Sequence, residues 1–167
     1  KKLWSEFREN KIAFLALCIL LVLIVLSLLS PIISPQDPYN LSEINILEGR
    51  LPPGTLSESG YIYVLGTDDQ GRDMLSAILY GLRISIAVGV ASGLFAFILG
   101  LTVGLFAAYN RGIIDILIMR FVDMQLSFPA ILIALILLTT LGRGTDKVII
   151  ALIASQWVYY ARVARGT

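Results

Sequence analysis

The sequence predicts an all-α, multi-pass transmembrane helical bundle, and three observations carry that expectation. Of its 167 residues, 57% are hydrophobic and 15% charged, with a mean hydropathy of +0.82. Soluble chains have about 45–50% apolar and about 25% charged residues. The apolar residues gather in long blocks, as a bilayer demands and a water-soluble core does not. The charges fall mainly between those blocks. Four crossings and a short amphipathic outer helix are expected.

Residues 1–11 form a tail carrying Lys1, Lys2, Arg8 and Lys11. The first crossing follows at 12–33, interrupted only by Ser27, Ser30 and Pro31. At about 1.5 Å per residue it can span a hydrocarbon core of about 30 Å. A secretory signal has an apolar region of about 7–15 residues ending in a small-residue cleavage site. This block is longer and has no such site, so it reads as an anchor.

Residues 34–82 differ in character. Pro35, Pro38, Pro52 and Pro53, with Gly49, Gly54 and Gly60, predict an extended, turn-rich loop. Its acids are Asp37, Glu43, Glu48, Glu58, Asp68, Asp69 and Asp73, against Arg50 and Arg72. Within it, Thr67 or Asp68 can cap a helix, with Asp69 and Asp73 near the helix's positive end. Met74, Leu75, Ile78, Leu79 and Leu82 then make an apolar stripe at helical spacing. These features predict a separate amphipathic helix in the outer interface.

Residues 83–167 hold the second to fourth crossings. The second, Ile84 to Tyr109, is uncharged and carries Gly89, Gly93, Gly100 and Gly104, joined by Ala96 and Ala107. In an α-helix these lie within a stripe about 80° wide. Small residues of this kind let helices approach closely in lipid, so packing within the subunit is expected. The third crossing is interrupted by Asp115, Arg120 and Asp123 before an uninterrupted stretch from Leu126, and Pro129 should kink it. Asp123 is expected to pair with Arg120 at i,i+3, with lining of a path as the other reading. The fourth, Val148 to Ala161, is short; Gln156 inside it bonds a neighbouring helix or faces a cavity. Trp157, Tyr159 and Tyr160 read as an interfacial belt.

Basic residues set the orientation. With the N-terminus cytoplasmic, the inside segments carry Lys1, Lys2, Arg8, Lys11, Arg111, Arg120, Arg162 and Arg165. The outside ones carry Arg50, Arg72, Arg83, Arg143 and Lys147, together with the acidic loop. A net charge of +1 offers no field for nucleic acid. Cys18 stands alone and histidine is absent, which removes an intrachain disulfide and makes metalloenzyme and hydrolase readings weak.

The stretch LGTDDQGRDMLSAILYGLRISIAVG resembles the signature after the first crossing in permease subunits of the dipeptide, oligopeptide and nickel family of ABC importers. Gly66, Thr67, Asp68, Gly71, Arg72, Asp73, Tyr80, Gly81, Arg83 and Ser85 match it. Asp115 to Asp123, followed by Phe128-Pro129, is similar to the family's third-helix entry. The resemblance, to the C-type member of the permease pair, implies a type I importer fold with six crossings in the intact subunit. It implies a second homologous permease, two cytoplasmic ATP-binding subunits and an external substrate-binding protein, in a bacterial inner membrane. ATP and Mg would be handled by the partners, with no cofactor here; this chain lacks a G-x-x-x-x-G-K-[ST] phosphate loop. The chain starts without Met and stops before the family's coupling loop, so it is expected to be a fragment unable to transport alone. An energy-independent channel or assembly protein, and the same importer with nickel or another solute, are the alternatives. Deleting Leu41 to Glu58 is expected to impair binding-protein-dependent uptake and spare assembly.

Overall fold

The computed structural model describes residues 9–166. The basic tail residues Lys1, Lys2 and Arg8 lie outside them. Helices α1 (Lys11–Ile33), α2 (Met74–Asn110), α3 (Gly112–Leu126), α4 (Ala130–Leu141) and α5 (Thr145–Gly166) dominate. One short antiparallel ribbon, β1 (Thr55–Leu56) with β2 (Ile62–Tyr63), sits in the loop after α1. The expected all-α class thus holds for the helices but misses this ribbon. The chain divides into two compact units, Lys1–Ile86 and Ala87–Thr167, and α2 contributes to both.

In the first unit, α1 begins where the Asn10 side chain accepts the Ala13 N–H at 3.2 Å. Its apolar residues are mostly exposed, as in Ile12, Leu15, Leu28 and Ile32, which suits a helix surrounded by lipid. Pro31 has no N–H to donate to the Ser27 carbonyl. The Ser30 hydroxyl takes that place, 2.9 Å from the same oxygen, and both serines are buried. A proline is thereby tolerated inside a span because a side chain re-satisfies the freed acceptor.

The outer amphipathic helix expected upstream of the second crossing is not a separate element. Met74 to Leu82 form the first turns of α2, which runs unbroken for 37 residues. The apolar stripe of that stretch continues in phase into the uncharged block, and neither Gly81 nor Arg83 breaks the ladder.

The second unit is organised on α5, against which α3 and α4 both pack. Val122, Val158 and Ala161 are buried together, with Met119, Leu126 and Trp157 around them. Trp157 stacks on Phe121 at 6.2 Å between ring centres, and Tyr160 meets Phe97 edge-on at 5.6 Å. Two of the three residues assigned to an interfacial belt therefore pack on other helices, while Tyr159 is exposed. The third crossing is broken rather than kinked. α3 ends at Leu126, Pro129 cannot donate to the preceding turn, and α4 leaves at 88° to α3.

Among the described residues, two helices (α1 and α2) are long and apolar enough to cross a membrane, or three spans if α3 and α4 count as one broken span. Four crossings are more than this geometry defines, because α5 carries Asp146, Lys147, Arg162 and Arg165 near its ends.

Candidate functional site

The signature between the first two long helices folds as a tight hairpin. Thr67 and Asp73 form an antiparallel bridge, and the Asp68 N–H donates to the Arg72 carbonyl at 3.0 Å. Gly66 and Gly71 both sit at φ +80°, a left-handed conformation that glycine adopts without strain. A Cβ on Gly66 would overlap the Leu51 carbonyl oxygen, and one on Gly71 the Asn45 carbonyl oxygen. Both glycines are thus demanded twice, by backbone angle and by close approach.

Asp68 does not cap a helix. Its carboxylate accepts the Gln70 and Arg72 N–H groups at 2.8 and 3.0 Å and pairs with the Arg72 guanidinium at 2.7 Å. Burial would raise this carboxyl, but the N–H donors and the Arg72 charge outweigh it and hold it below its ordinary value. Asp69 pairs with Arg50 at 2.7 Å and is held low by that bond. The cap of α2 is Asp73, whose Oδ2 accepts the Ser76 N–H at 2.8 Å and the Ser76 hydroxyl at 2.6 Å. Its own N–H donates to Gln36 Oε1 at 2.6 Å, and Gln36 Nε2 donates to the Glu43 carbonyl at 2.9 Å. The chain leaving α1 is tied by this clasp to the residue that starts α2.

The centre of the loop is Glu48, a residue that sequence reasoning passed over as one acid among several. Its carboxylate accepts the Tyr63 hydroxyl at 2.6 Å, the Glu58 N–H at 2.6 Å and the Ser57 hydroxyl at 3.2 Å. Its carbonyl accepts the Thr67 hydroxyl at 2.6 Å, and Thr67 Oγ1 in turn accepts the Leu51 N–H at 2.8 Å. The Tyr63 bond does most to hold the Glu48 carboxyl low; burial opposes it, and the Glu58 and Ser57 donors assist. Burial, and then the Glu48 carboxylate, push the Tyr63 hydroxyl up. Thr67 of the signature is therefore a strut for Glu48, not a helix cap. Arg83 is exposed on α2 and forms no ion pair among the described residues.

The glycine stripe divides in two. A Cβ on Gly100 would overlap the Trp157 carbonyl oxygen and stand 2.9 Å from the Ala161 nitrogen. One on Gly104 would lie 2.5 Å from the Ala161 carbonyl oxygen. These two glycines seat α2 on α5. Gly89 and Gly93 have no atom of the described residues within 4 Å of such a carbon, so they pack no described helix.

Asp123 does not pair with Arg120. Val122 turns into the core against Val158 and Ala161, which brings the neighbouring Asp123 to Arg162 on α5. One turn further along α5 and about two turns back along α3, Arg165 pairs with Asp115 through Nε and Nη2 at 3.1 and 2.7 Å. Arg120 forms no ion pair among the described residues and lines, with these groups, a cavity of about 510 Å³. Gln156 makes no side-chain hydrogen bond among the described residues. The interhelical bond comes from Gln125, whose Nε2 donates to the Ala154 carbonyl at 2.5 Å.

Long apolar helices, a folded hairpin clasped to two of them and helices seamed by glycine are the features of a multi-pass membrane protein. Residues 1–53 match the family described as the N-terminal TM domain of oligopeptide transport permease C. Residues 100–167 match the family described as a binding-protein-dependent transport system inner membrane component. Along nearly its whole length the chain is homologous to the N-terminal half of dipeptide and oligopeptide permease subunits. It is 35% identical over 163 residues to the dipeptide transport system permease protein DppC of Bacillus subtilis, covering 98% of this chain and 48% of that protein. It is 32% identical over 168 residues to the oligopeptide transport system permease protein OppC of the same organism, covering 98% and 52%. It is 34% identical over 166 residues to the glutathione transport system permease protein GsiD of Pectobacterium atrosepticum, covering 99% and 52%. The chain spans about half the length of these curated relatives.

Proposed function

We propose that this chain is the first part of a permease subunit that carries di- or oligopeptides across a bacterial inner membrane in an ATP-driven, binding-protein-dependent importer. The observation that carries the reading is alignment along nearly the whole chain with permeases named for dipeptides, oligopeptides and glutathione. All of these cargoes are peptides. The intact subunit pairs with a second homologous permease, and two ATP-binding subunits drive alternating access between outward and inward openings. Catalysis and Mg binding belong to those partners. α5 is the fourth crossing, the N-terminus is cytoplasmic, and residues 34–73 face outward, consistent with the distribution of basic residues.

The outward loop receives the external binding protein. Leu41, Ile46 and Leu47 are 85%, 75% and 90% exposed there, an apolar group among acids that suits a partner surface. Deleting Leu41 to Glu58 would also remove Glu48 and dismantle the loop, so side-chain changes make the cleaner test. The intact subunit, expressed with its partners, should co-purify with ATP-binding subunits and support labelled-dipeptide uptake that requires the binding protein. Replacing Leu41, Ile46 and Leu47 together by serine should raise the binding-protein concentration needed for half-maximal uptake. Uptake independent of ATP would contradict the importer reading, and an unchanged requirement for binding protein would remove the loop from docking.

A further inference from the structure

The charges around the α3–α5 cavity do not balance. Three guanidinium groups (Arg120, Arg162 and Arg165) face two carboxylates (Asp115 and Asp123) in a space of about 510 Å³, leaving one positive charge in excess. Arg162 and Arg165 are committed to the two carboxylates, so the excess resides on Arg120, which is exposed and has no ion-pair partner among the described residues. Committed guanidinium groups still have unused N–H donors, since each carries five and the Asp115 pair uses two from Arg165.

The rest of the wall has another chemistry. Ile116 and Met119 line the same cavity. The outer face of α3 continues apolar and exposed at Ile113, Ile116, Leu117, Phe121 and Met124. A site with a surplus guanidinium, spare donors and an exposed apolar flank matches a molecule with one negative charge and attached acyl chains.

We propose that this cavity holds the headgroup phosphate of an anionic phospholipid from the adjoining leaflet. Arg120 is the primary ligand, and the spare donors of Arg162 and Arg165 contribute. A phosphodiester carries the single negative charge that offsets the excess, and guanidinium is the side chain best shaped to hold it by paired N–H donors. Ile116 and Met119 meet the glycerol end of the acyl chains. Basic pockets between helices at a membrane face are recognised sites for such headgroups. The inference needs only that the chain sits in a bilayer, and so stands apart from the assignment of cargo.

The test uses the intact subunit in its complex, reconstituted in phosphatidylcholine vesicles doped with spin-labelled phosphatidylglycerol. The immobilised fraction of the label reports lipid held by protein. Arg120→Gln is expected to weaken phosphatidylglycerol association about fivefold. Arg143→Gln, outside the cavity, should leave it unchanged. Asp115→Asn frees Arg165 and raises the excess charge, so it should tighten association whether or not R120Q assembles. Saturating inorganic phosphate should not displace the lipid. Wild-type association in R120Q, no tightening in D115N, or displacement by phosphate alone would each overturn the proposal.

Discussion

At the scale of single residues, Glu48 organises more of the loop between α1 and α2 than any residue of the signature beside it. It accepts from two side chains and one backbone amide while its own carbonyl holds Thr67. Hydrogen bonds to a charged group contribute about 1.5–3 kcal/mol each at most, and a partner left buried without its bond costs a comparable amount. Glu48→Gln is therefore expected to destabilise the loop by about 2 kcal/mol, read as faster exchange of the Glu58 amide hydrogen. The pH dependence follows from the directions of the two shifts. The Glu48 carboxyl is held low, so its contribution is complete above the ordinary carboxylate range and is lost as pH falls through its lowered value. The Tyr63 hydroxyl is pushed up, so its contribution is complete below about pH 10 and is lost only as pH rises through its raised value. Protection of the Glu58 amide, corrected for intrinsic exchange, should stay level between about pH 5 and about pH 9 and fall on the acid side. Glu48→Gln should abolish that acid limb. An acid limb that survives the substitution would assign it to other groups.

At the scale of elements, the close approach of α2 to α5 depends on the absence of side chains at Gly100 and Gly104. In lipid, helices gain little from burying apolar surface, and contact at small residues supplies the packing. Gly100→Val would have to move the Trp157–Ala161 backbone, because the obstruction is main chain and cannot rotate away. A loss of about 1–3 kcal/mol is expected, measured as a lower unfolding midpoint of the detergent-solubilised subunit. Gly89→Ala meets open space and should leave the midpoint unchanged within about 0.5 kcal/mol. Equal effects at the two positions would contradict the seam. The two ion pairs between α3 and α5 add orientation more than strength, since both are partly exposed.

At the scale of the whole molecule, the membrane helices were the most legible part. α1 and α2 each contain a long uncharged block, and composition alone marks them as spans. The start of α2 was harder to read, because Gly81 and Arg83 look like a boundary although the helix passes through both. The break at Pro129 was visible, but its 88° extent was not, since proline removes a hydrogen bond without setting the direction of the next helix. The hairpin signature was recognisable as a string of residues, yet its roles were assigned wrongly: Asp73 is the cap, Thr67 the strut and Asp68 the turn lock. Glu48 was invisible because its partners Tyr63 and Thr67 lie 15 and 19 residues along the chain, beyond any local pattern. Asp123 was misread for the same reason, its true partner being 39 residues away rather than three.

Everything proposed for transport requires the acidic loop and the α2–α3 junction to lie on opposite sides of the bilayer. Site-directed thiol labelling with a membrane-impermeant reagent tests that directly, in the intact subunit with Cys18 replaced by serine. Leu47→Cys and Tyr109→Cys place single thiols at positions that are 90% and 87% exposed. In intact spheroplasts Leu47→Cys should label at once, and Tyr109→Cys only after the membrane is opened. Labelling of Leu47→Cys solely from the cytosolic side, or of both positions from the same side, would contradict the account.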